Sequence, residues 1–179
     1  MLHRIFLAIN LHEKAKKTLS SYKEKWPELP ARWSIPENIH ITLLFLGNTS
    51  KVELKELQKM TSEIAARHTP FCLYFSQIVY GPSVKQPRML WAIGERSNEL
   101  HVLQKDLASQ FHKTYENAFS LHVTLARLKE WEFQKMEQEE RPIIPEAISL
   151  EVPVNTIDIM ESKLKRSGAE YSIIETMPL

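Results

Sequence analysis

Two apolar stretches of the sequence carry the same four-residue motif, His-x-Thr-Leu. One is HITL at residues 40–43 and the other is HVTL at residues 122–125. The chain has only seven histidines in 179 residues, so composition alone would produce such a pair in about one chain in a thousand. Each motif follows a helix-like segment. The repeat therefore predicts two related structural units that each present one histidine.

The hydrophobic pattern around the motifs predicts an α+β fold. Strands are predicted where short apolar runs lie between turn residues, and helices where apolar residues recur every three or four positions. The predicted strands are residues 4–9, 40–47, 71–81, 88–94, 120–128, 147–162 and 169–177. Because the elements alternate without a regular βαβ rhythm, we expect antiparallel sheets in two lobes that face a shared cleft, with helices on their outer faces.

Local signals mark the ends of the predicted elements. Asn10 with Glu13, and Ser50 with Glu53, have the spacing of a capping box, and Ser97 can cap a third helix. A hairpin turn is predicted at residues 164–169, around Gly168. The proline-rich segments 81–87 and 141–145 are the best candidate boundaries between structural units.

Composition limits the partners and the compartment. A net charge of +1 gives no overall attraction to nucleic acid, so a basic binding surface must be local. The lone cysteine, Cys72, lies in FCLYF and is expected to be a buried, inert thiol. A single cysteine favours a reducing compartment, here the cytoplasm. The first residues read as a strand rather than a signal peptide, and no stretch approaches the roughly 18 apolar residues of a membrane span. A monomer is the default expectation.

The motifs place polar side chains on one face of each predicted strand. Because side chains alternate along a strand, His40 and Thr42 point the same way, about 6.5–7 Å apart, and so do His122 and Thr124. Near neutrality one imidazole can act as a base and the other as an acid, while threonine hydroxyls donate to phosphate oxygens. This set suits the cleavage of a phosphate ester, and the chemistry requires no metal.

Two other interpretations of the histidines remain open. Either one could be structural, or the pair could bind zinc with His101 or His112 as a further ligand. The sequence contains no H-x-x-x-H or H-E-x-x-H spacing. It also has only four glycines and no glycine-rich phosphate loop, which argues against an ATP-dependent mechanism.

Several segments together resemble the 2H phosphoesterase superfamily, which is defined by two His-x-Thr/Ser motifs. Within it, the chain is most similar to the RNA 2',3'-cyclic phosphodiesterase family, historically called 2'-5' RNA ligase. The resemblance lies in RIFLAI, RWSIPENIHITLLFLGNTS, RMLWAIG, HVTLAR and SGAEYSIIETMPL. It implies a bilobal, pseudo-two-fold α+β fold in which residues 1–179 form a single domain of two intertwined lobes.

The resemblance also implies an activity on RNA ends or nucleotides with a 2',3'-cyclic phosphate. The expected reaction is hydrolysis to a 2'-phosphate with no cofactor, and 2'-5' ligation is a secondary activity. By this analogy His40 protonates the departing 3' oxygen and His122 activates the attacking water. Thr42 and Thr124 hold the phosphate.

Four further residues are candidates for substrate contacts. Arg127 matches the arginine that closes the family's second motif, but strict alternation points it away from Thr124 unless the strand bulges or ends. Arg88 is either a phosphate contact or a surface charge. Phe6 and Tyr171 either stack on a base or belong to the core.

Other functions remain compatible with the same residues. The site could cleave a 2'-5' oligonucleotide or a small cyclic phosphate. The chain could also be a binding module for RNA ends without chemistry, although both motifs are intact. The cluster KLKR at residues 163–166 is either a contact for the phosphates of a longer RNA or a solvated surface.

Overall fold

The computed structural model describes residues 2–113, 120–144, 146–165 and 168–179. The strands are β1 (His3–Asn10), β2 (Ala31–Trp33), β3 (His40–Thr49), β4 (Phe71–Gly81), β5 (Met89–Gly94), β6 (His122–Leu128), β7 (Glu146–Val154), β8 (Thr156–Lys165) and β9 (Gly168–Pro178). The helices are α1 (Glu13–Ser21), α2 (Lys51–Ala65), α3 (Asn98–Gln110) and α4 (Glu130–Lys135). Short 3-10 turns span Tyr22–Glu24, Pro36–Asn38 and Gln138–Glu140.

The strands form two antiparallel sheets, one for each motif. The first sheet has the order β3-β1-β8-β9 and the second has the order β2-β6-β5-β4-β7. Every paired strand runs antiparallel to its neighbours. The predicted α+β class with antiparallel sheets is therefore confirmed.

The two sheets do not correspond to the two halves of the sequence. The chain places β1 and β3 in the first sheet with β2 of the second between them, and it returns to the first sheet with β8 and β9. Residues 81–87 join β4 to β5, which are neighbours in one sheet. The expectation of a boundary there is therefore wrong. Residues 141–144 precede β7 of that same sheet, and residue 145 lies outside the described ranges.

The motif strands separate a polar face from an apolar one, as their alternation predicts. Ile41, Leu43, Val123 and Leu125 are at most 2% exposed and belong to one core cluster that includes both sheets. Helix α2 packs on β8 and β9, α3 packs on β3, and α1 packs on β7. The helices contribute Leu57, Ile64, Leu100, Leu103 and Leu107 to this core.

Two of the three predicted helix caps are present. Ser50 and Glu53 form a reciprocal capping box at α2, and the hydroxyl of Ser97 accepts a hydrogen bond from the Leu100 amide at α3. The capping box predicted at Asn10 is wrong, because α1 begins after His12 without a side-chain cap. Asn10 instead remains in β1, where its amide group donates to the Asp158 carboxylate at 3.0 Å.

The expected burial of Cys72 is also wrong. Its thiol is exposed, because alternation along β4 turns Cys72 and Tyr74 outward and Leu73 and Phe75 inward. A hydrogen bond to Glu151 is the largest cause that raises the pKa of the thiol, and desolvation and the negative charge of Glu151 raise it further. A raised pKa lowers the thiolate fraction, so the expectation of weak reactivity does not depend on burial.

The β8–β9 hairpin agrees with the predicted turn. Lys165 of β8 lies opposite Gly168 of β9, while residues 166 and 167 lie outside the described ranges. Gly168 has a φ of +133°, a backbone conformation that favours glycine. No helix in the described ranges is long and apolar enough to cross a membrane.

Candidate active site

A β-bulge lies at the last residue of the motif in both motif strands. In β3, Thr42 pairs with Ala8 and Leu44 pairs with Leu7, so the register with β1 skips Leu43. In β6, Thr124 pairs with Trp91 and Ala126 pairs with Leu90, so Leu125 has no partner on β5. The extra residue falls at the same motif position in both strands. The local backbone therefore repeats along with the sequence.

Each bulge reverses the side-chain alternation beyond it. Leu43 and Leu44 are both buried, and so are Leu125 and Ala126. The next residue in each strand, Phe45 or Arg127, is exposed on the face of the motif histidine. A bulge before Arg127 is the condition under which this arginine was expected to lie on the side of Thr124 and reach the phosphate.

The carbonyl groups of the two extra residues have different partners. The Leu43 carbonyl accepts a hydrogen bond from the side-chain amide of Gln104 at 3.2 Å, and Gln104 is 2% exposed. The Leu125 carbonyl accepts from the Ser34 backbone amide at 2.8 Å. Sequence analysis missed both partners. The signal for Gln104 was its place four residues after Leu100, inside an otherwise apolar helix face.

His40 lies among aromatic rings of the first sheet. Its ring centroid is 5.1 Å from that of Phe6 and 5.0 Å from that of Tyr171. Its Nε2 lies 3.1 Å from the Thr42 hydroxyl. Its buried Nδ1 makes no hydrogen bond of normal geometry, but the nearby backbone carbonyl of Asn38 favours a proton on the ring.

Burial lowers the pKa of His40 to about 4. Burial is the largest cause, the Asn38 carbonyl opposes it, and the positive charges of His122 and Lys16 lower the pKa further. Strand β3 approaches β6, and the charge of His122 acts on the His40 ring, so the two motif histidines lie near one another. His40 is therefore neutral at pH 7 in the free protein.

His122 has a different environment in the second sheet. Its Nδ1 lies 2.8 Å from the Ser120 carbonyl, and its ring stacks on that of Trp91 with centroids 4.2 Å apart. Because a carbonyl only accepts hydrogen bonds, Nδ1 carries the proton of the neutral ring and Nε2 is a free acceptor. Burial lowers the pKa of His122, and the Ser120 carbonyl partly opposes that shift.

The structure separates the two candidates for base stacking. Phe6 is 2% exposed and packs with Ala8 and Met160 in a small cluster, beneath the rings of His40, Phe45 and Tyr171. This burial argues against the predicted contact of Phe6 with a base. Tyr171 is half-buried at the edge of the same cluster.

The two candidate arginines also differ. Arg127 is exposed, and its guanidinium lies 3.8 Å from the sulfur of Met89. Arg88 has a 63% exposed side chain that lies 3.7 Å from the Glu130 carboxylate. Arg127 thus lies exposed on the motif face, whereas Arg88 forms an ion pair with Glu130.

The described part of the chain contains no group of three or more His, Cys, Asp or Glu side chains that could hold a metal ion.

Comparisons with known proteins match this architecture over almost the whole chain. The family described as LigT like phosphoesterase matches residues 9–91 and 93–171. The RNA 2',3'-cyclic phosphodiesterase of Aquifex aeolicus is 30% identical, over 86% of this chain and 84% of the relative. The Thermotoga maritima protein of that name is 27% identical, over 96% and 92%.

Solved structures show the same fold. A protein of Thermus thermophilus superposes with a TM-score of 0.85 at 26% identity, covering 98% of this chain and 97% of that one. Escherichia coli LigT complexed with 3'-AMP superposes with a TM-score of 0.79 at 23% identity, covering 100% and 99%. The paired motifs, the two sheets and the matched family agree with the expected 2H phosphoesterase resemblance, and the chain belongs to the LigT-like phosphoesterase family.

Proposed function

We propose that this protein hydrolyses the 2',3'-cyclic phosphate at the end of an RNA to a 2'-phosphomonoester, with His40 and His122 as its acid and base. The expected enzyme class, a phosphodiester hydrolase, is confirmed by the family and by curated relatives named RNA 2',3'-cyclic phosphodiesterase. The observation that carries the mechanism is the presence of two neutral imidazoles on facing strands, beside matched threonines.

His122 is placed to act as the base. Its Nδ1 proton is held by the Ser120 carbonyl, so its free Nε2 accepts a proton from the attacking water. The water oxygen forms a bond to phosphorus while the bond from phosphorus to the 3' oxygen breaks. His40 supplies the proton that the 3' oxygen takes up. The two imidazoles then exchange protons with solvent and return to their starting states.

His40 must be protonated to act as the acid, although its pKa in the free protein is about 4. An anionic phosphate beside the ring favours the imidazolium and raises this pKa. Binding of the substrate is therefore coupled to uptake of a proton. Thr42, whose hydroxyl lies 3.1 Å from His40 Nε2, and Thr124 donate to the non-bridging phosphate oxygens.

The outer contacts of the substrate follow from the two bulges. Arg127 shares the motif face of β6 and binds a phosphate oxygen, whereas Arg88 is held by Glu130 and contributes less. Tyr171 and the 67% exposed Phe45 offer ring faces to the terminal base, with Phe6 supporting them from below.

The functional unit is proposed to be a cytoplasmic monomer, with residues 1–179 acting as one domain. The crossings of the chain between the two sheets support a single unit, because neither sheet is completed by one continuous segment. Size-exclusion chromatography with light scattering tests the oligomeric state.

The test is a product assay on adenosine 2',3'-cyclic phosphate by phosphorus NMR with EDTA present. We expect 2'-AMP from the wild type and none from His40→Ala or His122→Ala. His101→Ala is the matched control, because the side chain of His101 is exposed on α3. Product that survives loss of either motif histidine would contradict the mechanism. An inactive wild type would favour another substrate, either a 2'-5' oligonucleotide or a small cyclic phosphate, or a binding function without catalysis.

A further inference from the structure

Two arginines stand side by side at one end of the motif face in the second sheet. Arg32 of β2 pairs directly with Arg127 of β6 in the antiparallel register. Directly opposed residues in an antiparallel pair project to the same face. Arg32 and Arg127 are both exposed, so β2 extends the polar face of His122 and Thr124 by a second guanidinium.

This arrangement leaves positive charge uncompensated. Like charges directly opposite each other in a sheet are unfavourable, yet neither Arg32 nor Arg127 forms an ion pair with any residue in the described ranges. Other cations near the cleft are paired: Arg88 with Glu130, Lys163 with Glu161, and Lys165 with Glu170. Among the described residues of this region, Arg32 and Arg127 are therefore cations available to an anionic ligand.

The position of Arg32 also connects the two sheets. A Cβ built on Gly168, at the start of β9, would lie 3.3 Å from Nη1 of Arg32. The Asn38 side chain binds the adjacent Ala169 carbonyl at 3.0 Å. The guanidinium of Arg32 therefore lies where the start of β9 in the first sheet meets β2 of the second.

Spacing assigns the two arginines to different phosphates. Arg127 follows Thr124 on the same face of one strand, within reach of a phosphate held by Thr124. Arg32 lies one strand further out, about 4.8 Å away, and extends toward the hairpin. In an RNA end, the nearest phosphate other than the cyclic one is the internucleotide phosphate on the 5' side of the terminal nucleotide. A guanidinium binds such a phosphate with paired hydrogen bonds.

We infer that Arg32 is a specificity residue that binds this internucleotide phosphate, so that the enzyme prefers a polynucleotide end to a cyclic mononucleotide. This inference rests on the proposed function. It assigns to the RNA chain a second phosphate subsite at Arg32, next to Arg127, which binds the reacting phosphate.

The experiment compares kcat/KM for three substrates. They are adenosine 2',3'-cyclic phosphate, the same nucleotide with a 5'-phosphate, and a diadenosine dinucleotide ending in a 2',3'-cyclic phosphate. We expect the wild type to prefer both of the latter by about tenfold, the size of one charge-assisted hydrogen bond. Arg32→Gln should remove that preference and leave the unsubstituted cyclic nucleotide within about twofold. Arg67→Gln, an exposed arginine after α2, is the control and should change nothing.

Three results would overturn the inference. One is an equal loss on all three substrates, which would place Arg32 at the reacting phosphate. Another is no effect of Arg32→Gln on any substrate. The third is a preference for the dinucleotide without one for the 5'-phosphate, which would assign the gain to the second base.

Equilibrium binding separates this inference from the proposed reaction. Calorimetry with 2'-AMP and with the 2'-phosphorylated dinucleotide needs no turnover. If the wild type is inactive but Arg32→Gln weakens the binding of the dinucleotide and not of 2'-AMP, the subsite is supported and the proposed hydrolysis is contradicted. If the enzyme is active but both ligands bind Arg32→Gln with the same affinity as the wild type, the subsite is contradicted and the proposed hydrolysis is not. Thermal unfolding of each variant confirms that it is folded.

Discussion

The two motif strands β3 and β6 have the same sequence motif, the same bulge position and the same division into a polar and an apolar face. They differ in the residues that surround them. His40 is enclosed by the rings of Phe6 and Tyr171, and burial lowers its pKa to about 4. His122 has the flat face of Trp91 on one side and the Ser120 carbonyl at its Nδ1. Duplicated backbone geometry therefore does not duplicate the chemistry, since neighbouring strands determine how each imidazole is solvated.

The residue after each bulge shows the same divergence. Phe45 follows the bulge in β3 and Arg127 follows the bulge in β6, both exposed on the motif face. One backbone device thus presents an aromatic ring in the first sheet and a cation in the second. A terminal nucleotide has a base and a phosphate. The aromatic ring in the first sheet suits the base, and the arginine in the second sheet suits the phosphate.

The largest effect is expected when each histidine is removed alone and when both are removed together. An acid and a base that act in one step fail together, so His40→Ala, His122→Ala and the double variant should each lower kcat by about 10²–10⁴-fold, with little further loss in the double variant. Single-turnover kinetics on the cyclic mononucleotide measures this. Losses that multiply in the double variant would mean that the two imidazoles act in separate steps.

The pH dependence sharpens the electrostatic difference. Both histidines have a pKa below 6.5 in the free protein, and the active form carries one proton. Above both pKa values the fraction of protein in that singly protonated form decreases as the pH rises. We therefore expect kcat/KM to peak below pH 6.5 and to decrease about tenfold per pH unit above the peak. A peak above pH 7 would contradict this. Histidine NMR titration assigns the lower pKa, which we expect near 4 for His40.

The two bulges should differ in how much they depend on a side chain. Gln104→Leu removes the buried side-chain amide that donates to the Leu43 carbonyl, and should lower the free energy of unfolding by about 1–3 kcal/mol. Ser34→Ala keeps the backbone amide that binds Leu125 and loses only the bond from the Ser34 hydroxyl to the Thr124 carbonyl. It should cost about 1 kcal/mol. Urea unfolding compares them, and an equal or reversed order would contradict the assignment.

The smallest expected effect separates the two residues after the bulges. Phe45→Ala should raise KM for adenosine 2',3'-cyclic phosphate severalfold, since one stacked base contributes about 1–3 kcal/mol. It should not affect ribose 2',3'-cyclic phosphate, which has no base. Arg127→Gln should raise KM for both substrates, because both contain the phosphate. Equal effects of Phe45→Ala on the two substrates would exclude a base contact.

Features that depend on local pattern could be predicted from the amino-acid sequence. The alternation in HITL and HVTL fixed a polar and an apolar face for each motif strand, and the spacing of Ser50 and Glu53 fixed the start of α2. These follow from the period of a strand and from hydrogen bonds between residues three positions apart. The family resemblance added the pseudo-two-fold arrangement of the lobes and the reaction, which the same local patterns could not supply.

Only the tertiary structure decided the features that depend on contacts between distant segments. A bulge exists only relative to a partner strand, so the face of Arg127 depends on its pairing with β5 rather than on HVTLAR itself. Asn10 bonds to Asp158, which is 148 positions away, and not to the adjacent helix. Arg32 reaches Gly168 of the other sheet in the same way. Such pairings depend on how sheets assemble, because the free energy of a cross-strand contact is gained only when both strands are in place.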